Sequence, residues 1–529
     1  MSRHGPHAQF ATGENFAAVA GCPEATATAM DVLREGGNVV DAALAASAVL
    51  CVALPQAVSL GGDLFALVRL KGASPVAVNA TGAAPAAATP AVFREKGLGF
   101  IPTAGPLSLQ TPGLVAGWQI LADNFASRPL ARLLEPAMTF ASRGVRVTAR
   151  LAHFVAQAAP EYAAYPGFTD LFTQEGRWLK EGDLWVQPRL ARTLAAIAQE
   201  GARGFYGGWI ARDIAQTARD AGGLLEVSDF DAVRAQCAKP LSVRFRDFDI
   251  VTQPPVSQGV ILLRALRILA ATVAPRDAAD TPGYWRRAIA ALRIAFQERL
   301  TFLGDRPGMD ALARTLIDDP IPDLDGSVPG AALANHGTET TILSVMDAAG
   351  DAVSIIQSVF ADLGAGVVSR ESGVLMNNRL SAFFLDEGHP NSLRPGKRTI
   401  HTLHNFMAMD QGGVRWAGGS PGGDLQPQVN LQLLARLIDL KQPPADAVSA
   451  PRWAVLPGTI PLDLSRHAFL FARIDPELPP PMQEALTALG MTLSVSADHN
   501  VGSAKLVGRN ASGIGAWCDR RRDTVAAAA

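Results

Sequence analysis

Thr340 and Ser358 are the two residues whose type and placement point most directly to covalent chemistry. They sit in the run TETTILSVMDAAGDAVSIIQSVF (338–360), where two β-rich stretches flank Asp347-Ala348-Ala349-Gly350-Asp351. That composition favours a hairpin with a three-residue loop and Gly350 at positive φ. Pairing Asp347 with Asp351 places Thr340 opposite Ser358, their side chains on one face with roughly 5 Å between Cβ atoms. A slip of one residue would send Ser358 to the other face. A threonine hydroxyl is a weak nucleophile unless a base takes its proton, and a free N-terminal α-amine, with a pKa of about 8, is such a base on the same residue. Cleavage before Thr340 would supply it. Without that cleavage, a threonine opening a strand is an ordinary β-former.

Other polar groups carry weaker signals. His401 and His404 lie three residues apart with no third ligand near them in sequence, so the spacing reads as packing rather than as a metal site, and no cofactor is expected. Gly418-Gly419-Ser420-Pro421-Gly422 matches the G-x-S-x-G nucleophile elbow. That elbow draws an oxyanion donor from the residue after the serine, and Pro421 has no N–H. Asp63, following Gly61-Gly62, reads as a turn residue.

These residues must be held by a large scaffold. A chain of 529 residues forms two or three domains or one large layered domain. Helices are expected over 24–35, from about 40 onward, and over 189–200, 260–273 and 284–303, with strands over 241–251, 340–346 and 352–359. Helices dominate the first two thirds and strands gather around 340–420, which predicts a layered α+β arrangement. The Asp-, Pro- and Gly-rich stretch 305–338 reads as an exposed connection, and the Ala/Pro-rich Ala80–Pro90 as a surface loop.

Composition narrows the partners. Lys and Arg total 47 against 49 Asp and Glu, a net charge of −2 with no polybasic run, which argues against nucleic acid and membrane and for a small molecule. The longest apolar run, Ala42–Leu54, is too short to span a bilayer. Four scattered cysteines without a Cys-x-x-Cys pair suit a reducing compartment, and the N-terminal stretch lacks the apolar core of a secretory signal, so a cytoplasmic location is expected.

The run from Glu339 to Arg398, together with GGSPGGDLQPQ (418–428), resembles the small subunit of gamma-glutamyltranspeptidases. GGNVVDAALAASAVLCVALPQAVSLGGDLF, SLQTPGLVAGW and TQPPVSQG resemble the large-subunit pattern of that family in the same order. The resemblance implies an N-terminal nucleophile fold, a four-layer αββα sandwich formed jointly by a large subunit (1–339) and a small subunit (340–529). It implies self-cleavage at Glu339–Thr340, with Thr340 as nucleophile, Ser358 as its hydroxyl contact, and Gly422 and Gly423 as oxyanion donors. The partners it implies are a small amide, the two subunits of one precursor, and a second processed heterodimer.

Departures from the family pattern bear on substrate. Thr81 replaces the arginine that holds an α-carboxylate, and Ala382 the aspartate that holds an α-amine. Arg379 follows Asn377-Asn378, where the family has a neutral residue, and His401-Thr402 stand for the serine pair of the γ-glutamyl site. Asn378, Arg379, His401 and Thr402 are thus the expected substrate contacts, with Arg379 clamping a carboxylate through parallel hydrogen bonds. The plainer role for Arg379 is an ion pair with Asp386 or Glu387. The segment 383–397 is shorter than the family's lid-bearing region. These features are closest to the branch that includes oxamate amidohydrolase, so the expected activity is hydrolysis of an amide whose acyl part bears a carboxylate, oxamate-like or glutaryl-type. The alternatives are a gamma-glutamyltransferase or glutathione hydrolase, and an uncut member acting as a binding protein.

Overall fold

The computed structural model describes residues 9–321, 324, 340–455, 471–496, 501–510, 513–519 and 521–529. Fourteen strands build its two large sheets: β1 (Gln9–Gly13), β2 (Phe16–Ala20), β3 (Asp63–Arg69), β4 (Val76–Ala80), β5 (Gln236–Ala238), β6 (Leu241–Phe245), β7 (Phe248–Thr252), β8 (Thr341–Asp347), β9 (Ala352–Ser358), β10 (Phe406–Asp410), β11 (Gly413–Gly419), β12 (Lys505–Asn510), β13 (Gly513–Cys518) and β14 (Val525–Ala528). One sheet runs β1-β13-β12-β11-β10-β7-β6 and the other β14-β2-β8-β9-β3-β4-β5.

Alternation along each strand decides which layer a side chain enters. In β8, Leu343 and Val345 point outward into the core built with helices Pro23–Arg34 and Val39–Ala53. Met346 points inward and meets Met407, Val414 and Ala417 of the facing sheet. The outer face of that facing sheet packs on helices Gly259–Thr272, Pro282–Phe302 and Leu425–Ile438. The result is the expected αββα order. The Val39–Ala53 helix is buried along its whole length, and its alanines let it lie close on the sheet. No helix among the described residues is long and apolar enough to cross a membrane.

The hairpin register is the expected one. Thr341 pairs with Gln357 and Met346 with Ala352, and Gly350 has φ 82°. The turn closes through Asp347, whose N–H donates to the Asp351 carbonyl at 3.0 Å and whose Oδ1 accepts from the Asp351 N–H at 3.0 Å.

Three expectations need correction. The single strand expected over 241–251 is a hairpin, β6 and β7, because Arg246 adopts φ 55° while its guanidinium is fastened to Asp439 and to the carbonyls of Ala270 and Val273. That pull is tertiary and leaves no local signal. Within 305–338, Met309–Asp318 forms a helix whose Met309, Ala313, Leu316 and Ile317 are buried; residues 325–339, including the Glu339 side of the expected cut, lie outside the described residues. The strands are also less concentrated than expected, since β1 to β4 come from the first 80 residues and β12 to β14 from the last 25.

In the β8/β9 turn, Gly350 is the position whose φ a side chain resists. Gly350→Val is expected to lower unfolding free energy by about 1–2 kcal/mol, read as a shifted urea midpoint with an unchanged slope.

Candidate active site

Continuing the β8/β9 register by one residue brings Thr340 opposite Ser358, and the Thr340 hydroxyl donates to Ser358 Oγ at 3.3 Å. Ser358 is in turn directly opposite Asp63 at the start of β3. One more step along the β3/β4 register places Thr81 beside Asp63. Thr340, Ser358, Asp63 and Thr81 therefore form one row across four strands, all facing the inner layer and at most 4% exposed. The row needs close backbone approach: a Cβ on Gly62 would lie 2.4 Å from the Ser358 carbonyl oxygen, and one on Gly61 2.3 Å from that of Leu375.

Asp63 is a strand residue and not the expected turn. Its Oδ1 accepts from the N–H groups of Gly82 at 3.1 Å and Gly113 at 3.2 Å, and its Oδ2 faces His401 Nε2 at 3.1 Å. The Leu403 N–H donates to His401 Nδ1 at 3.3 Å, so the imidazole proton belongs on Nε2, directed at Asp63. Burial, reinforced by the Arg379 guanidinium, pushes the His401 pKa down to about 4 against the pull of Asp63. Burial pushes His404 down to about 3; its Nε2 meets Asn430 Nδ2 at 3.0 Å. Both rings are neutral at ordinary pH. Among the described residues no cluster of three or more metal-ligating side chains occurs.

Arg379 is fully buried. Its Nη1 donates to Thr402 Oγ1 at 3.3 Å, and its Cζ lies 3.9 Å from the centre of the Phe360 ring. The nearest carboxylate is Asp63, with Oδ2 at 3.8 Å from Nε, too far for a hydrogen bond. Glu387, one of the ion-pair partners considered above, bonds Arg94 instead. Among the described residues, Nε and Nη2 of Arg379 have no hydrogen-bond partner. Burial lowers its pKa to about 9 against the pull of Asp63, which leaves it cationic at neutral pH. Phe360 reaches this position through a left-handed backbone, φ 86°, secured by its N–H donating to Ser358 Oγ at 2.8 Å.

Gly422 and Gly423 follow β11 with φ 124° and 56°, and both are buried. The Gly422 carbonyl accepts from Leu425 N at 2.9 Å and the Gly423 carbonyl from Gln426 N at 3.2 Å. Neither glycine N–H donates to another described residue. Buried backbone donors are almost always paired, and these two adjacent ones have no partner among the described residues. Ser420, the elbow serine rejected above, donates its hydroxyl to the Pro421 carbonyl at 2.9 Å.

Of the expected substrate contacts, Arg379 has two nitrogens without a hydrogen-bond partner among the described residues. Asn378 bonds loop backbone on both sides of its amide: its Oδ1 accepts from Ala361 N at 3.0 Å and its Nδ2 donates to the Thr103 carbonyl at 2.6 Å. His401 is likewise engaged at both nitrogens, and Thr402 accepts from Arg379. The residues that sequence reasoning missed are Asp63 and Phe360. For Asp63 a signal existed, since the apolar run LFALVRL directly after it marks a strand start.

A small cavity of about 20 Å³, lined by Arg299, Phe360, Ala382, His389 and Thr402 among others, adjoins the Arg379 side of this site. A roomier cleft of about 420 Å³ lies elsewhere, along Asp170, Leu184, Trp185 and Arg189, and holds none of these groups.

The model of the family described as gamma-glutamyltranspeptidase matches residues 25–529. The chain belongs to the gamma-glutamyltranspeptidase family. Over 442 residues it is 34% identical to the oxamate amidohydrolase proenzyme of Klebsiella pneumoniae, covering 81% of this chain and 83% of that protein. It is 33% identical over 429 residues to a glutathione hydrolase-like proenzyme of Bacillus subtilis, covering 80% and 81% of the two. Among solved structures, a cephalosporin acylase from Bacillus halodurans superposes with a TM-score of 0.86 at 28% identity, over 100% of this chain and 98% of that one. The fold is that of the N-terminal nucleophile hydrolases, and this family member is an amidohydrolase of that type.

The buried neutral histidines make acid stability a test of the site's packing. In the unfolded chain both protonate near pH 6.5, whereas in the folded chain they resist until about pH 4 and 3. The unfolded state therefore binds more protons across that window, and their contribution to stability falls as pH drops from 6.5 towards 4. The melting temperature of His401→Gln is expected to fall less steeply over that range than that of the unaltered protein, as measured by calorimetry.

Proposed function

We propose that this protein is a self-processing amidohydrolase that cleaves a small amide whose acyl group bears a carboxylate, through an acyl-enzyme on Thr340. The observation that carries the substrate reading is Arg379: a fully buried guanidinium with two unpartnered nitrogens and no hydrogen-bonded carboxylate. Leaving such donors unpaired costs free energy unless a ligand satisfies them. A substrate carboxylate is the acceptor that fits a planar fork.

In this reading the precursor is cut between Glu339 and Thr340, and the new α-amine becomes the general base. It takes the proton from Thr340 Oγ1 as that oxygen attacks the amide carbonyl carbon. The negative charge that develops on the carbonyl oxygen is received by the Gly422 and Gly423 N–H groups. When the carbon–nitrogen bond breaks, the leaving nitrogen takes the proton from the amine and departs as ammonia or an amine. Water, deprotonated by the same amine, then attacks the ester carbonyl carbon; as the bond to Thr340 Oγ1 breaks, that oxygen takes the proton back from the amine and the acid departs. Ser358, held by Phe360 N–H, keeps the Thr340 hydroxyl oriented. Ala382, in apolar contact with Phe360, offers no anion to an ammonium group, which supports a substrate without an α-amine.

Purified Thr340→Ala is expected to run as one uncut 55.6 kDa chain with no turnover, whereas the unaltered protein gives fragments ending and starting at the 339–340 bond. Arg379→Ala is expected to raise KM about tenfold or more, the equivalent of one lost charge-assisted hydrogen bond, with a smaller effect on kcat. A screen of ammonia or amine release should find activity on oxamate or glutaryl amides, and robust release of glutamate from glutathione would overturn the substrate reading. kcat/KM should rise with pH through the α-amine pKa of about 8. His401, neutral above about pH 4, adds nothing to that limb.

A further inference from the structure

The segment TQPPVSQG (252–259) lies before Thr340 in sequence, yet its polar side chains grip the wall of the site that comes after it. Gln253 Nε2 bonds Asn405 Oδ1, and its Oε1 accepts from Asn405 N at 3.2 Å. Ser257 Oγ donates to the Leu403 carbonyl at 2.7 Å, and the Gln258 backbone N–H donates to the His401 carbonyl at 2.9 Å. The Gln258 side chain goes further. Its Nε2 donates both to the Thr402 carbonyl and, at 3.0 Å, to the Gly423 carbonyl.

Two adjacent glycines at positive φ have wide conformational freedom, which is a poor property for donors that must meet a developing charge. Within the loop itself, their carbonyls are held by the first turn of the helix Leu425–Ile438. Stiffness has to come from outside the loop. Side chains of neighbouring helices reach it: Arg299, whose Nη1 meets Asp424 Oδ1 at 3.2 Å, and Gln258, at the head of Gly259–Thr272. Of these, only Gln258 touches a glycine of the pair. It is fully buried, and its amide is oriented by two carbonyl acceptors, since the reversed amide would set oxygen against oxygen.

We propose that Gln258 is a positioning residue for the oxyanion loop: by tying the Gly423 carbonyl to the Thr402 carbonyl it holds the Gly422 and Gly423 N–H groups at the place where the tetrahedral oxygen forms. This rests on the reading of the glycine pair as the oxyanion hole. It also links the two halves of the site, because Thr402, the other acceptor, is the residue that bonds Arg379. The bond crosses the 339–340 junction in sequence, so the part of the chain before the cut supplies stiffness to chemistry carried out by the part after it.

The test is Gln258→Met, which keeps length and bulk and deletes both donors, made in the full chain. Removing an oxyanion donor outright costs about 10²–10³ in kcat, and loosening the loop is expected to cost about tenfold, with KM within about twofold of the original. A peptidic or alkyl boronate that forms a tetrahedral adduct on Thr340 should lose affinity by a similar factor, while inhibition by the carboxylic acid product stays unchanged. Unchanged kcat and boronate affinity in a cut, folded variant overturns the proposal. So does a fall in melting temperature and kcat with boronate affinity intact, which is the pattern of a merely structural residue. If Gln258→Met does not fold, the isosteric Gln258→Glu carries the same measurements and the same outcomes. The underlying reading fails separately, and is recognised by Thr340→Ala retaining turnover or by the unaltered protein showing no affinity for the boronate.

Discussion

Antiparallel register is the constraint on which everything else in this molecule depends. Because side chains alternate with a period of two, the pairing of Asp347 with Asp351 decides that Thr340 and Ser358 share the inner face, and the pairing of β9 with β3 decides that Asp63 joins them. A slip of one residue in either ladder would turn a hydroxyl or a carboxylate into the outer helix layer, against Leu50 and Leu54. Thr341 shows what that position is like: its Oγ1 points toward Gly21 and the Val39–Ala53 helix and has no hydrogen-bond partner among the described residues.

Charge in the site is organised by burial. Two histidines are kept neutral, so the positive charge near the row is carried by guanidinium groups, which hold their protons far more firmly than imidazole does. Asp63 compensates Arg379 at 3.8 Å while its own lone pairs are committed to Gly82, Gly113 and His401. The counter-charge is thereby close enough to offset desolvation and too far to occupy the fork. Arg299 and Asp424 repeat the arrangement beside the glycine pair, here with a direct contact. Breaking either pair would leave a buried charge uncompensated, which is far more costly than the pair is worth.

The sheets also bear on how a cut at residue 339 could be tolerated. In one sheet β8 and β9 lie between β2 and β3, and in the other β10 to β13 lie between β1 and β7. Strands from before and after residue 340 are thus hydrogen-bonded neighbours in both sheets, and the cores mix residues from both sides. Two such fragments are not separate domains. Each would expose strand edges and apolar faces without the other, and the same interleaving brings Gln258 of the earlier part to the Gly423 carbonyl of the later one.

The β8/β9 hairpin was legible in the sequence because everything that determines it is local: two β-branched runs, an acidic pair at the turn and a glycine where φ must be positive. The layered α+β class followed from periodicity, and the unsuitability of Ser420 from the missing N–H of Pro421. The apolar run after Asp63 signalled a strand start, but its partners were not legible: two glycines before an aspartate have the composition of a turn, and only the close passage of Ser358 and Leu375 explains why glycine is needed there. Nor could sequence show that the Asn378 amide bonds Ala361 and Thr103, or that two Arg379 nitrogens have no hydrogen-bond partner among the described residues. By itself the sequence determined the hairpin that carries Thr340 and Ser358, because backbone stereochemistry acts between near neighbours, while the nucleophile and the glycine pair were indicated by the resemblance to the family. Only the tertiary structure decided which polar atoms are already satisfied, because their partners come from segments as far apart as residues 63 and 401.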